Sequence, residues 1–135
     1  MTEPIYALEP NLTALEFQQL LVDSGLAARR PADDLPRLDR MLRNSSLILT
    51  ARLDGALVGI ARSVTDFAYC CYLSDLAVSK SAQGRGIGRE LIAQTRRHCG
   101  PVVSVILLSA PTAVAFYESI GMPRHPAAFW FRSDR

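Results

Sequence analysis

The residues with the strongest claim to chemistry are Gln83-Gly84-Arg85-Gly86-Ile87-Gly88-Arg89, three alternating glycines with two arginines among them. Glycines omit the Cβ atoms that would keep a ligand from the backbone, so consecutive N–H groups can converge on one bulky anion. From Gly88 onward the apolar residues recur at helical spacing, and a helix start adds unpaired N–H groups and the positive end of its dipole. This is the chemistry of a pyrophosphate cradle. The dinucleotide fingerprint G-x-G-x-x-G would need its third glycine where Arg89 or Leu91 stands, and a Walker loop needs a lysine that follows none of these glycines.

Other side chains invite a role. Asp75 lies in the apolar run that feeds the loop, where a carboxylate needs a reason. It could take the proton of an ammonium, directly or through water, or pair with an arginine such as Arg62 to hold the sheet. Tyr72 lies three positions back and, by strand alternation, on the opposite face; it is an alternative to Asp75 or a structural ring. Cys70 and Cys71 face opposite ways in a strand without an activating His or Arg. His98 and His125 have no partner at metal-ligand spacing, so no metal is expected. Arg29, Arg30, Asp33 and Asp34 read as a solvated loop, and Trp130 as a core or dimer contact.

The elements that must hold these residues are legible from local signals. Ile5–Leu8 is a first strand; Thr13 and Glu16 form a capping box before Phe17, Leu20 and Leu21, and Gly25 stops that helix. After an irregular link, Asp33 or Asp34 caps a second helix carrying Leu35, Leu38 and Leu42 inward, with Pro36 in its first turn. Asp54-Gly55 between two β-prone runs predicts an antiparallel hairpin. Cys70–Val78 is the strand before the loop. Gly88, Leu91, Ile92, Thr95 and Cys99 share one helical face, ended by Gly100-Pro101, and Val102–Leu108 then reads as a strand buried on both faces. Strand, helix and strand make a βαβ unit with parallel strands. Thr112–Ile120 is a last helix and Phe129–Phe131 a closing strand.

A chain of 135 residues, 49% hydrophobic and 21% charged, is expected to be a single domain spanning 1–135, globular rather than disordered. A net charge of +2 with scattered arginines argues against nucleic acid. The longest apolar run is far short of the roughly 20 residues that cross a bilayer, so no membrane partner is expected. The N-terminus lacks a signal-peptide layout and three cysteines make no disulfide framework, so a cytoplasmic location with reduced thiols is expected.

Gln83-x-x-Gly86-x-Gly88 after Leu76-Ala77-Val78 resembles the acetyl-coenzyme A loop, Q/R-x-x-G-x-G/A, of the GNAT superfamily, the GCN5-related N-acetyltransferases. The order of elements is similar too, and the specific part of the likeness runs from Tyr72 to Gly121. Gly59-Ile60-Ala61-Arg62 and Thr65-Asp66 are similar to small amine acetyltransferases of the serotonin type. The resemblance implies an α/β (α+β) GNAT fold: a mixed central sheet with an N-terminal antiparallel hairpin, a βαβ acetyl-coenzyme A core and helices on both faces. It implies that backbone groups of Leu76, Ala77 and Val78 receive the pantetheine arm, and that Gln83, Gly84, Arg85, Gly86, Ile87 and Gly88, with Arg89, hold the pyrophosphate. Ser109 stands near where the family has an asparagine. Ala115-Phe116-Tyr117-Glu118 with Ile120-Gly121 resembles the helix bearing a general-acid tyrosine, which would make Tyr117 the proton or hydrogen-bond donor to the departing thiolate; otherwise it is a core ring.

The implied activity is transfer of an acetyl group from acetyl-coenzyme A, the co-substrate, to a primary amine by direct attack in a ternary complex. The acceptor is a small amine, polyamine, amino sugar or protein amine. The alternative is a non-catalytic acyl-coenzyme A sensor. The resemblance also implies a homodimer paired through the C-terminal strands.

Overall fold

The computed structural model describes residues 2–133. Strand β1 (Ile5–Leu8) is followed by helix α1 (Ala14–Ser24), where Thr13 Oγ1 accepts the Glu16 N–H at 3.2 Å and Gly25 closes the last turn. The irregular link after it holds one 3-10 turn, Leu26–Arg29. Asp34 caps α2 (Leu35–Arg43), and Pro36 fits the first turn because its missing N–H would have had no acceptor there. Strands β2 (Leu47–Leu53) and β3 (Ala56–Thr65) form the hairpin, with Asp54 at φ 51° and Gly55 at φ 82°, the left-handed pair a two-residue turn requires. Then come β4 (Cys70–Val78), α3 (Ile87–Cys99), β5 (Ser104–Ile106) and α4 (Val114–Ser119).

The five strands lie in sequence order in one mixed sheet, antiparallel from β1 to β4 and parallel between β4 and β5. Alternation along the strands divides the core. Phe17, Leu20, Leu21, Leu38 and Leu42 of α1 and α2 pack on Ile48, Ile60 and Ala77. On the other face Ile87, Leu91 and Ile92 of α3 meet Leu49, Ala51, Ala61 and Leu73. Gly59 permits that close approach, since a Cβ there would meet Ile87 Cγ2 and Leu91 Cδ1 at 3.1 Å. No helix among the described residues is long and apolar enough to cross a membrane.

The C-terminal third departs from expectation. Of Val102–Leu108 only Ser104–Ile106 is strand, and Val102 and Ile106 are exposed rather than buried. The reason is position: β5 is last in the sheet and pairs with β4 alone. Phe129–Phe131 forms no strand, and Phe129 is 95% exposed. Its aromatic β-propensity finds no ladder to join. The last helix is split into a 3-10 turn, Pro111–Ala113, and the short α4.

Candidate functional site

Strands β4 and β5 pair only where Cys70–Tyr72 meets Ser104–Ile106. Beyond Tyr72 they separate, and a cleft of about 780 Å³ opens between Leu76, Ala77 and Val78 on one side and Leu107, Leu108 and Ala110 on the other. Ser79 N donates to Val58 O at 2.8 Å, which turns the neighbouring Val78 N–H away from β3 and toward the cleft edge. The same alternation gives the cleft edge the backbone groups of Leu76 and leaves those of Ala77 to β3.

The glycine loop closes one end of this cleft. Gln83 Nε2 donates to Val78 O at 3.1 Å, tying the loop back to the strand. Gly84 and Gly86 have φ of 80° and 78°, and a Cβ on either would meet nothing within 4 Å. Their requirement is the left-handed backbone, which a side chain disfavours. Inside α3 the first amide to find a carbonyl is Glu90 N, bonded to Gly86 O at 3.0 Å, and Gly86 supplies no side-chain cap. The N–H groups of Ile87, Gly88 and Arg89 precede that ladder, which suits an anion.

Gly88 is needed for a different reason from the one spacing suggested. A Cβ there would lie 3.0 Å from Phe116 Cζ, so this glycine seats α4 against α3. Arg85 donates to Thr2 O at 3.1 Å, and Arg89 is exposed; neither lines the cleft. Ser109 is also absent from the cleft wall, its Oγ donating to Ala110 O at 2.7 Å. Thr112 lines the cleft instead, and nothing in the sequence marked it.

The other end is built around a bulge. Arg62 pairs with Asp75 and Ser63 with Leu73, so Ser74 is an extra residue with no partner. That insertion resets the alternation. Tyr72, opposite Val64, therefore lies on the same face as Asp75, opposite Arg62, and not on the other face as unbroken alternation would have it.

Asp75 is 0% exposed and does not line the cleft. Its Oδ1 is bonded by Arg30 Nε and its Oδ2 by Arg62 Nε. Arg62 also reaches Ser45 Oγ at 3.1 Å and Ser74 Oγ at 3.0 Å. Arg30 Nη1 donates to Arg29 O at 2.8 Å and Nη2 to the bulged Ser74 O at 2.7 Å, while the side chain stays 21% exposed on the cleft wall. The pairing with Arg62 that the sequence allowed is present. The partnership with Arg30 was missed; the one signal for it was the unexplained carboxylate itself.

Tyr117 faces the cleft from α4, and its ring meets Phe116 edge-on with centroids 5.1 Å apart. Burial raises the pKa of its hydroxyl above the ordinary 10.0, with the positive charge of Arg30 pulling the other way. At neutral pH the group is a protonated donor. Tyr72 and Trp130 also line the cleft. Cys70 is exposed and Cys71 buried, as their adjacent strand positions require.

Residues 33–129 match the family model described as an acetyltransferase (GNAT) domain. An uncharacterized N-acetyltransferase, ycf52, of Pyropia yezoensis is 29% identical over 133 residues, covering 90% of this chain and 73% of its own. The crystal structure of a Staphylococcus aureus protein of unknown function, described as a probable acetyltransferase, superposes with a TM-score of 0.81 at 20% identity, over 98% of this chain and 100% of that one. An aminoglycoside N-acetyltransferase in complex with CoA superposes with a TM-score of 0.74 at 16% identity, over 100% and 97% of the two chains.

Proposed function

The chain belongs to the GNAT acetyltransferase family, and on that premise we propose that it carries an acetyl group from acetyl-coenzyme A to a primary amine by direct attack in a ternary complex. The observation that carries this reading is the cleft between β4 and β5, with an anion cradle at one end and Tyr117 on its wall. The CoA complex of the aminoglycoside enzyme, which has this fold, supports acetyl-coenzyme A as the co-substrate.

Leu76 and Val78 offer backbone groups to the pantetheine arm, and the Val78 N–H polarises the thioester carbonyl. Gly84, Gly86 and the first N–H groups of α3 receive the pyrophosphate, with Gln83 holding the loop in shape and Arg85 and Arg89 adding positive charge beside it. An amine is almost wholly protonated at neutral pH and must lose that proton before it attacks. Asp75 is enclosed by two arginines and does not line the cleft, so the ammonium proton passes to bulk solvent through the open cleft, along the wall where Tyr72 lies. As the new C–N bond forms and the C–S bond breaks, the Tyr117 hydroxyl donates to the departing thiolate. Its raised pKa suits it to a hydrogen bond more than to full proton transfer.

The test is a thiol-release assay with acetyl-coenzyme A against a panel of amines, with wild type beside Tyr117→Phe. Turnover by the wild type, and kcat lower by about 10- to 100-fold in the variant with unchanged coenzyme A binding, is the result expected for loss of one hydrogen bond to a charged group. Tight coenzyme A binding with no amine acetylated would make the chain a binding module and end this reading.

A further inference from the structure

The acceptor end of the cleft has an uneven charge. Arg29 and Arg30 line both the main cleft and an adjoining recess of about 270 Å³, whose wall also includes Trp130 and Arg132. Among the described residues no Asp or Glu lines either space. Asp75, the carboxylate that Arg30 bonds, is itself sealed beneath that arginine. A site built for a polyamine or a polycationic amino sugar needs carboxylates to receive the second charge, and this one would repel it.

These arginines are not placed for the pyrophosphate. Arg30 is pinned to Ser74 O, and the loop begins only after Val78, four residues or about 13 Å further along the strand. Arg30 is also preorganised. Three of its five N–H groups are taken by Asp75, Arg29 O and Ser74 O, which fixes the plane of the guanidinium and leaves two N–H groups over. Arg29 makes no ion pair among the described residues. Trp130 adds an aromatic wall, with the Arg132 guanidinium 5.6 Å from its ring centre.

Resting on the acetyltransferase reading, we propose that the acceptor is an amine bearing an anionic group, a carboxylate or a phosphate, which Arg29 and Arg30 receive while the amine points to the transfer end beside Tyr117. A guanidinium held flat offers parallel N–H donors to two anion oxygens, the pairing for which arginine is best shaped. The same positive field disfavours the ammonium form of the acceptor, which helps supply the neutral nucleophile where no open carboxylate stands as base.

The experiment uses matched amines that differ in one group: 4-aminobutyrate, butylamine and 1,4-diaminobutane, and 2-aminoethyl phosphate against ethanolamine. Binding to the coenzyme A-loaded protein is measured by calorimetry, and turnover by thiol release with acetyl-coenzyme A. We expect at least one anion-bearing amine to bind about tenfold or more tightly than its match without the anionic group, and the diamine to bind most weakly. Arg29→Gln should narrow that ratio by about tenfold, and Arg29→Lys should restore part of it. The carboxylate and phosphate arms tell the two anion sources apart. Equal binding of members with and without the anionic group, preference for the diamine, or an Arg29→Gln effect equal on all members would overturn the proposal. Anion-selective binding without any turnover would uphold the anion site and reject the acetyltransferase reading, so the two can fail separately.

Discussion

At the scale of single residues, the Arg30–Asp75–Arg62 cluster decides how the end of the cleft away from the glycine loop is built. A carboxylate between two guanidinium groups anchors β3 to β4 through Arg62, and through Arg30 it holds the wall of the cleft in place. Removing its charge would leave two arginines facing each other across a neutral group in a buried site. Asp75→Asn is therefore expected to cost about 3 kcal/mol or more in urea unfolding and to leave the pH dependence of turnover in its wild-type shape. A variant of wild-type stability whose pH profile had lost its acidic limb would instead make Asp75 the base. The sequence showed that this carboxylate needed a partner and offered Arg62, which stands opposite it on the neighbouring strand; it could not show Arg30, because the link carrying it has no periodic pattern that fixes where its side chains go.

At the scale of elements, the glycine loop and the β4 bulge divide the work of shaping the cleft. The loop was legible because left-handed backbone is a local demand that glycine alone meets cheaply, so the positions at Gly84 and Gly86 announce themselves. Gly86→Val is expected to abolish the rise in melting temperature that coenzyme A produces, because a β-branched residue resists φ of 78°. Gly88→Ala should act otherwise: crowding Phe116 costs about 1 to 3 kcal/mol and shifts Tyr117, lowering turnover more than coenzyme binding. Equal loss of coenzyme binding in both variants would mean that the missing Gly88 side chain serves the coenzyme and not the seating of α4. The bulge at Ser74 was not legible, since one unpaired residue leaves no mark on the apolar pattern and only the pairing partners on β3 reveal it. For the same reason Tyr72 was placed on the wrong face.

At the scale of the whole molecule, a sheet packed on both faces couples stability to pH through its buried thiol. Burial pushes the Cys71 pKa up from 9.0 to about 11, with Ser63 opposing and Cys99 adding to the rise. Between those values the unfolded chain releases a proton that the folded chain keeps. The contribution is fully present below pH 9.0 and is lost as pH climbs toward about 11, a loss of about 2 to 3 kcal/mol. Urea midpoints measured from about pH 8 to about pH 11 should fall for the wild type and fall less steeply for Cys71→Ala, whatever the cavity costs at every pH; parallel curves would remove Cys71 as the source. What the sequence determined by itself was whatever rests on neighbours in the chain: the caps at Thr13 and Asp34, the Asp54-Gly55 hairpin, the faces of α1 and α3, and the glycine loop that leads into α3. What tertiary structure alone decided were pairings between distant segments: the bulge that turns Tyr72 toward Asp75, the two arginines that enclose that carboxylate, and the edge position of β5 that leaves Ile106 in solvent. The physical reason is that backbone conformation and helical periodicity act over a few residues, whereas burial and ion pairing depend on which other segment arrives alongside.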